Sequence, residues 1–139
     1  MLAQVTARPK VFEYAVTLDS DWNATSDRGG PILAGAEEES WTPEHLVLTG
    51  LARCSLTSLR YHCARAEITL LSTAKARATV TRRESDGRFA FADVAVQAEI
   101  ALDPRPAPDE LTALLAKAER DCFVGASLTM QPVYDWMVV

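Results

Sequence analysis

No CxxC pair occurs among the three cysteines, Cys54, Cys63 and Cys122, and no Cys/His cluster has zinc spacing. This excludes the common structural zinc modules and the thioredoxin-type motif. An odd number of widely spaced cysteines is also no disulfide framework, and in a reducing compartment such thiols are either buried or reactive. No apolar run approaches the length of a membrane span. The first ten residues carry Arg8 and Lys10 but no apolar stretch after Met1 of the kind a signal peptide needs. A cytoplasmic protein with no membrane partner is the expectation. Basic stripes are lacking too. Asp and Glu number 19 against 14 Lys and Arg, for a net charge of −5, whereas nucleic-acid binding rests on clustered Lys and Arg. The sequence shows neither internal repeats nor low-complexity tracts.

What is present is an ordinary globular composition, 48% hydrophobic and 24% charged over 139 residues. That length suits one domain spanning 1–139, or one protomer of a small oligomer. Val11–Leu18 alternates as a strand would. Residues 19–30 are polar and end in Gly29-Gly30 before Pro31, a turn signal. Residues 31–36 suit a short strand, and Glu37–Glu39 an acidic loop. Thr42-Pro43-Glu44 reads as a helix start, with a capping hydroxyl, a proline at the first helical position and an acid at the positive end of the dipole. Leu46, Gly50, Leu51, Cys54, Ser58 and Leu59 then recur at helical steps, predicting a long helix over 43–65. Gly50 and Ser58 on that stripe suggest a close neighbour.

Strands are expected over 75–83 and 88–102, joined at Ser85-Asp86-Gly87 as a hairpin. Prolines 104, 106 and 108 stiffen a connector to a second helix over 109–122. Residues 126–139 form a last strand whose Pro132 suits an edge. Tyr134 and Trp136 alternate there as core or dimer contacts. The element order is that of an α+β fold.

Cys54 and Cys63 are nine residues apart on one helix. At ~100° and 1.5 Å per residue they lie on opposite faces, about 13 Å apart along the axis. Disulfide geometry requires Cα atoms within about 7 Å. An intramolecular pair using Cys54 would therefore need Cys122, which packing of the two helices permits but does not demand. On periodicity alone, all three read as small buried hydrophobes.

Thr42-Pro43-Glu44-His45-Leu46, with Cys54 further along the same helix, resembles the segment leading to the reactive cysteine in the OsmC/Ohr family. Residues 118–122, AERDC, followed by Ser127-Leu128-Thr129 and Pro132-Val133-Tyr134, resemble that family's second motif. The likeness spans roughly residues 41–139, while the first forty match only as generic strands. It implies strands, a long central helix, a hairpin, a second helix and a final strand, assembled as an intertwined homodimer. It also implies chemistry without a cofactor. Cys54 would be the peroxidatic thiol toward organic hydroperoxides and Cys122 the resolving one, with a dithiol of lipoyl or thioredoxin type as reductant. Only a thiolate attacks, so the resemblance brings in an activating glutamate and arginine. Glu44 matches the glutamate, though about 15 Å of helix separates it from Cys54. A carboxylate alone raises a thiol's pKa, so the arginine has to offset it. The family's arginine lies upstream of the glutamate, where the chain has only Arg8 and Arg28, and Arg28 is the candidate. Arg53 adjoins Cys54 but points ~100° away. The alternative is a family member with little turnover that binds a small hydrophobic ligand or a thiol-bearing partner.

Other signals carry less. Asp19, Asp21, Asn23 and Asp27 mimic a calcium loop, but Ala24 and Gly30 stand where the turn glycine and the bidentate glutamate belong, so a polar turn is favoured. His45 and His62 are seventeen apart without Glu-x-x-His spacing, which argues against a metal site. Ser40, Ser55 and Ser58 lack a nucleophile-elbow context. Arg82-Arg83 reads as an exposed strand end.

Overall fold

A computed structural model describes residues 10–35 and 41–139. Arg8, Ser40 and the run Glu37–Glu39 lie outside the described residues. The chain divides into two compact units, Met1–Thr42 and Pro43–Val139.

In the first unit, β1 (Val16–Leu18) pairs antiparallel with β2 (Ala24–Ser26). The turn between them is held by Asp19, whose carboxylate accepts from the amides of Asp21 and Asn23 at 2.9 Å each. Those contacts, the Asn23 amide first, hold the carboxyl below its ordinary range. The acid that suggested a calcium loop is thus a turn clamp. The strand expected over 11–18 shortens to three residues because β2 offers only three partners. Of the strand expected over 31–36, the described residues 31–35 hold a single bridge, Leu33 with Ala24.

The second unit opens with α1 (Pro43–Arg65), matching the predicted helix. A hairpin follows, β3 (Thr69–Arg82) and β4 (Phe89–Asp103). Strand β3 starts six residues earlier than expected, since Leu70 and Ala74 extend the inward alternation of Ala76 and Ala78. The turn is locked by Asp86, which accepts from Arg83 at 2.7 Å and from the Arg88 amide at 3.0 Å, with Gly87 at φ 71°. The register shifts between Thr79 and Val80, leaving Ala92 as the extra residue of a bulge.

Next come α2 (Pro108–Arg120), the short α3 (Phe123–Ser127), and β5 (Val133–Val138), which runs parallel to β4 at the sheet edge. The sequence reading took residues 109–122 as one helix and missed α3. It also began the last strand too early, because Pro132 has no N–H for the ladder and pairing starts at Val133. Charges complement the α2 dipole, with Asp109 and Glu110 in the first turn and Lys117 and Arg120 in the last.

One face of the sheet packs under the helices in two clusters. The first gathers Leu59, Cys63, Ala98, Ile100, Leu102, Leu114 and Ala118. The second gathers Leu51, Val94, Val96 and Cys122, with Cys54 and Tyr134 against it. Ser58 donates to the Ala118 carbonyl at 2.8 Å, so its small side chain marks a helix–helix approach as expected. Gly50 does not, since a Cβ there would meet nothing within 4 Å. Leu59→Ala is expected to lower unfolding free energy by about 2–5 kcal/mol, as a large-to-small change in a packed core does. On the exposed face Thr57→Ala should change it by less than about 0.5 kcal/mol. Urea titration of both variants checks this.

Candidate functional site

Helix α1 presents Ser55, Ser58, Leu59 and Cys63 to the interior and leaves Cys54 half-buried. Facing it is the break between α2 and α3. Asp121 leaves the helical region at φ −96°, ψ 14°, and Cys122 is extended at φ −78°, ψ 103° before helical geometry resumes. This two-residue break turns the Cys122 side chain inward, where it is 0% exposed. It also points the amides of Phe123 and Val124 at the Cys54 thiol.

Cys54 packs against the cluster that holds Cys122, close enough for each thiol to feel the other, and both are free thiols. The Ser55 hydroxyl donates to the Leu51 carbonyl at 2.8 Å and lies 3.6 Å from the Cys122 sulfur. From the sheet side, Tyr134 reaches across Gly125 to Cys122 and Ser55. Two thiols and two hydroxyls thus share one largely buried cluster.

The electrostatics of Cys54 are opposed. Burial pushes its thiol above the ordinary range, the Val124 and Phe123 amides pull it down, and the neighbouring Cys122 pushes it up again. Burial wins, and the net direction is upward. The Tyr134 phenol is also pushed up, first by burial and then by its bond to Cys122, so it remains an O–H donor at neutral pH. Burial likewise raises the Cys63 thiol, which lies in the other core cluster. Both helix cysteines therefore face the interior, in separate clusters.

Of the expected site residues, Cys54 and Cys122 come together. Glu44 is exposed in the first turn of α1, ten residues from Cys54. Arg28 lies in the first unit, its guanidinium 5.0 Å from the Tyr14 ring centroid. Arg53 is exposed. Sequence reasoning missed Ser55, set aside for want of an elbow, and Tyr134, taken as a core or dimer contact. Ser55 directly follows Cys54, and Tyr134 shares its strand face with half-buried Trp136, so periodicity pointed both inward without showing what they meet.

A second polar cluster braces the break. His62 Nε2 lies 2.7 Å from Asp121 Oδ2, and Arg120 grips the same carboxylate through two bonds of 2.9 Å. Arg120 first, with help from His62, lowers the Asp121 carboxyl to about 2. Trp136 Nε1 donates to Glu119 at 3.1 Å, tying β5 to the end of α2. Among the described residues, no group of His, Cys, Asp and Glu is arranged to hold a metal ion.

The family model for OsmC-like protein matches residues 35–136. The chain belongs to the OsmC-like family. Solved structures share the fold at low identity. An OsmC-like protein of unknown function from Vibrio cholerae is 14% identical with a TM-score of 0.72, covering 91% of this chain and 100% of its own. The organic hydroperoxide resistance protein OhrB of Bacillus subtilis is 19% identical, TM-score 0.60, covering 92% and 98%. An organic hydroperoxide resistance protein from Elizabethkingia anophelis, with thiocyanate bound, is 20% identical, TM-score 0.66, covering 94% and 98%. No curated protein matches the chain. This OsmC-like fold is therefore the α+β arrangement expected, with the cysteines where α1 meets the α2–α3 break.

Two outcomes follow from this geometry. A Cβ at Gly125 would collide with the Tyr134 hydroxyl and sit 3.3 Å from the Cys122 sulfur. Gly125→Ala should cost about 1–3 kcal/mol, and Tyr134→Phe in the same chain should recover part of it, measured by urea unfolding. A depressed carboxyl contributes stability that is present above its unfolded value of 3.8 and lost as pH falls toward about 2. Asp121→Asn should therefore flatten the fall in unfolding midpoint between pH 4 and pH 2, with little change in its slope above pH 5.

Proposed function

We propose that this OsmC-like protein reduces organic hydroperoxides through a Cys54/Cys122 redox pair, in defence against oxidative stress. One observation carries the reading. A half-buried cysteine packs against a second one that is fully buried. The hydroperoxide-resistance names of two fold relatives support the substrate class.

In this reaction the Cys54 thiolate attacks the O–O bond of ROOH. The O–O bond breaks, an S–O bond forms, and ROH leaves after taking a proton, giving Cys54 sulfenic acid. The Cys122 sulfur then attacks Cys54, an S–S bond forms and water departs. A dithiol of lipoyl or thioredoxin type returns both cysteines to thiols and leaves as its own disulfide. The Phe123 and Val124 amides are the donors that favour the Cys54 thiolate. Glu44 and Arg28 are the further activating pair, acting from a second copy of the chain in a homodimer. Exposed apolar residues support that assembly, among them Val11, Val16 and Leu18 in the first unit and Leu71 and Val133 on the sheet's other face. Redox chemistry on thiols held reduced fits a cytoplasmic setting.

A second reading is favoured by one observation, the upward displacement of the Cys54 thiol by burial. It is that of a family member with little turnover, binding a small hydrophobic ligand or a thiol-bearing partner at the dimer interface. Cumene hydroperoxide separates the two. The first reading predicts stoichiometric loss of two thiols per chain in the native protein, none in Cys54→Ser, and a trappable sulfenic acid in Cys122→Ser. Equal peroxide consumption by native protein and Cys54→Ser would reject it in favour of the second.

A further inference from the structure

The disulfide implied by this pair would be asymmetric. Cys54 is half-buried at the edge of its cluster, whereas Cys122 is 0% exposed beneath α1, α3 and β5. A reducing thiolate approaching from solvent thus meets the Cys54 sulfur, and Cys122 must be the leaving sulfur. Thiol–disulfide exchange accelerates as the leaving thiolate is better stabilised. A buried anion needs donors, because its hydration is lost.

Two hydroxyls sit at that sulfur. Ser55 Oγ is 3.6 Å from Cys122 Sγ. The Tyr134 hydroxyl approaches the same sulfur from the sheet side, over a position that only glycine leaves open. In the resting thiol state the Ser55 proton is given to the Leu51 carbonyl at 2.8 Å, so Ser55 is an acceptor for the Cys122 S–H. Tyr134 is braced by stacking on Trp136, with centroids 6.2 Å apart and planes 7° apart, and Trp136 is itself bonded to Glu119.

We infer that Tyr134 and Ser55 stabilise Cys122 as the leaving thiolate when a dithiol reduces the Cys54–Cys122 disulfide. The assignment rests on the redox-pair reading above and adds the direction of attack. In the first step R–S⁻ attacks Cys54 Sγ, the Cys54–Cys122 bond breaks, and its electron pair goes to Cys122. That sulfur receives hydrogen bonds from Tyr134 and from Ser55, whose hydroxyl turns from Leu51. In the second step the reductant's other thiol attacks its own sulfur in the mixed disulfide. Cys54 leaves as thiolate, and the reductant departs as a cyclic disulfide. The protein gains two electrons and two protons, both from the dithiol.

The test begins from protein oxidised with diamide, so that it does not depend on peroxide. Reduction by dithiothreitol is followed in native protein, Tyr134→Phe and Ser55→Ala. Tyr134→Phe keeps the ring and should slow reduction roughly tenfold, the effect of losing one charge-assisted hydrogen bond. It should shift the equilibrium with dithiothreitol toward the disulfide by less, because Cys122 ends as a thiol and only the transient thiolate takes a charge-assisted bond. Ser55→Ala should move both in the same direction and carries the test if Tyr134→Phe does not fold. A purely structural role predicts the opposite sign, since a loosened pocket exposes the disulfide and speeds its reduction. With glutathione as a monothiol, the mixed disulfide should map to Cys54. Reduction of Tyr134→Phe at the native rate or faster, or a glutathione adduct on Cys122, would overturn the assignment. Native protein inert to cumene hydroperoxide, with reduction still slowed in Tyr134→Phe, would sink the peroxide reading and leave this one standing.

Discussion

The second unit depends on how closely α1 meets the end of α2. That approach is set by small polar side chains on one helix stripe rather than by large apolar ones. Ser58 bonds the Ala118 carbonyl at 2.8 Å, and Ser55 sits against the Cys122 sulfur. One turn beyond Ser58, His62 reaches Asp121. Serine at 55 and 58 spends its hydroxyl on a backbone or sulfur partner, so neither is left as an unsatisfied buried group. A larger residue at either position would part the helices and, with them, the two sulfurs.

From that seam the site follows. Arg120 and His62 hold the Asp121 carboxylate, Asp121 breaks the helix, and the break turns Cys122 inward while aiming the next two amides at Cys54. The strand behind contributes Tyr134, admitted by Gly125. The same burial that brings the thiols together raises the Cys54 thiol. Proximity and ionisation are therefore in tension, and the amides of α3 are the counterweight found within this unit.

Much of this was legible in the sequence. The long helix from Pro43 to Arg65 followed from its proline start and helical periodicity, and the hairpin from alternation around Asp86-Gly87. The resemblance at Pro43–Leu46 and at residues 118–122 led to the family, while the cysteine spacing narrowed the possible partner of Cys54 to Cys122. What stayed hidden depends on tertiary placement. A two-residue break cannot be seen in residues 109–122, where helix propensity is continuous, so α3 was lost. Ser55 and Tyr134 are ordinary inward-facing residues until the sulfur between them is located. Asp19 was legible as well: an Asx-type turn and a calcium loop share its acidic spacing, but Ala24 and Gly30 in place of the loop's glycine and glutamate favoured the polar turn that Asp19 holds.

The central claim is that Cys54 and Cys122 are redox partners, with Cys63 a packing residue in a separate cluster. It is tested most directly by peptide mapping of the mildly oxidised, unreduced protein by mass spectrometry. The account predicts one intrachain cross-link joining the peptides of Cys54 and Cys122, with Cys63 recovered as a free thiol. Cross-links through Cys63, or oxidation that leaves Cys122 reduced while Cys54 pairs between chains, would contradict it.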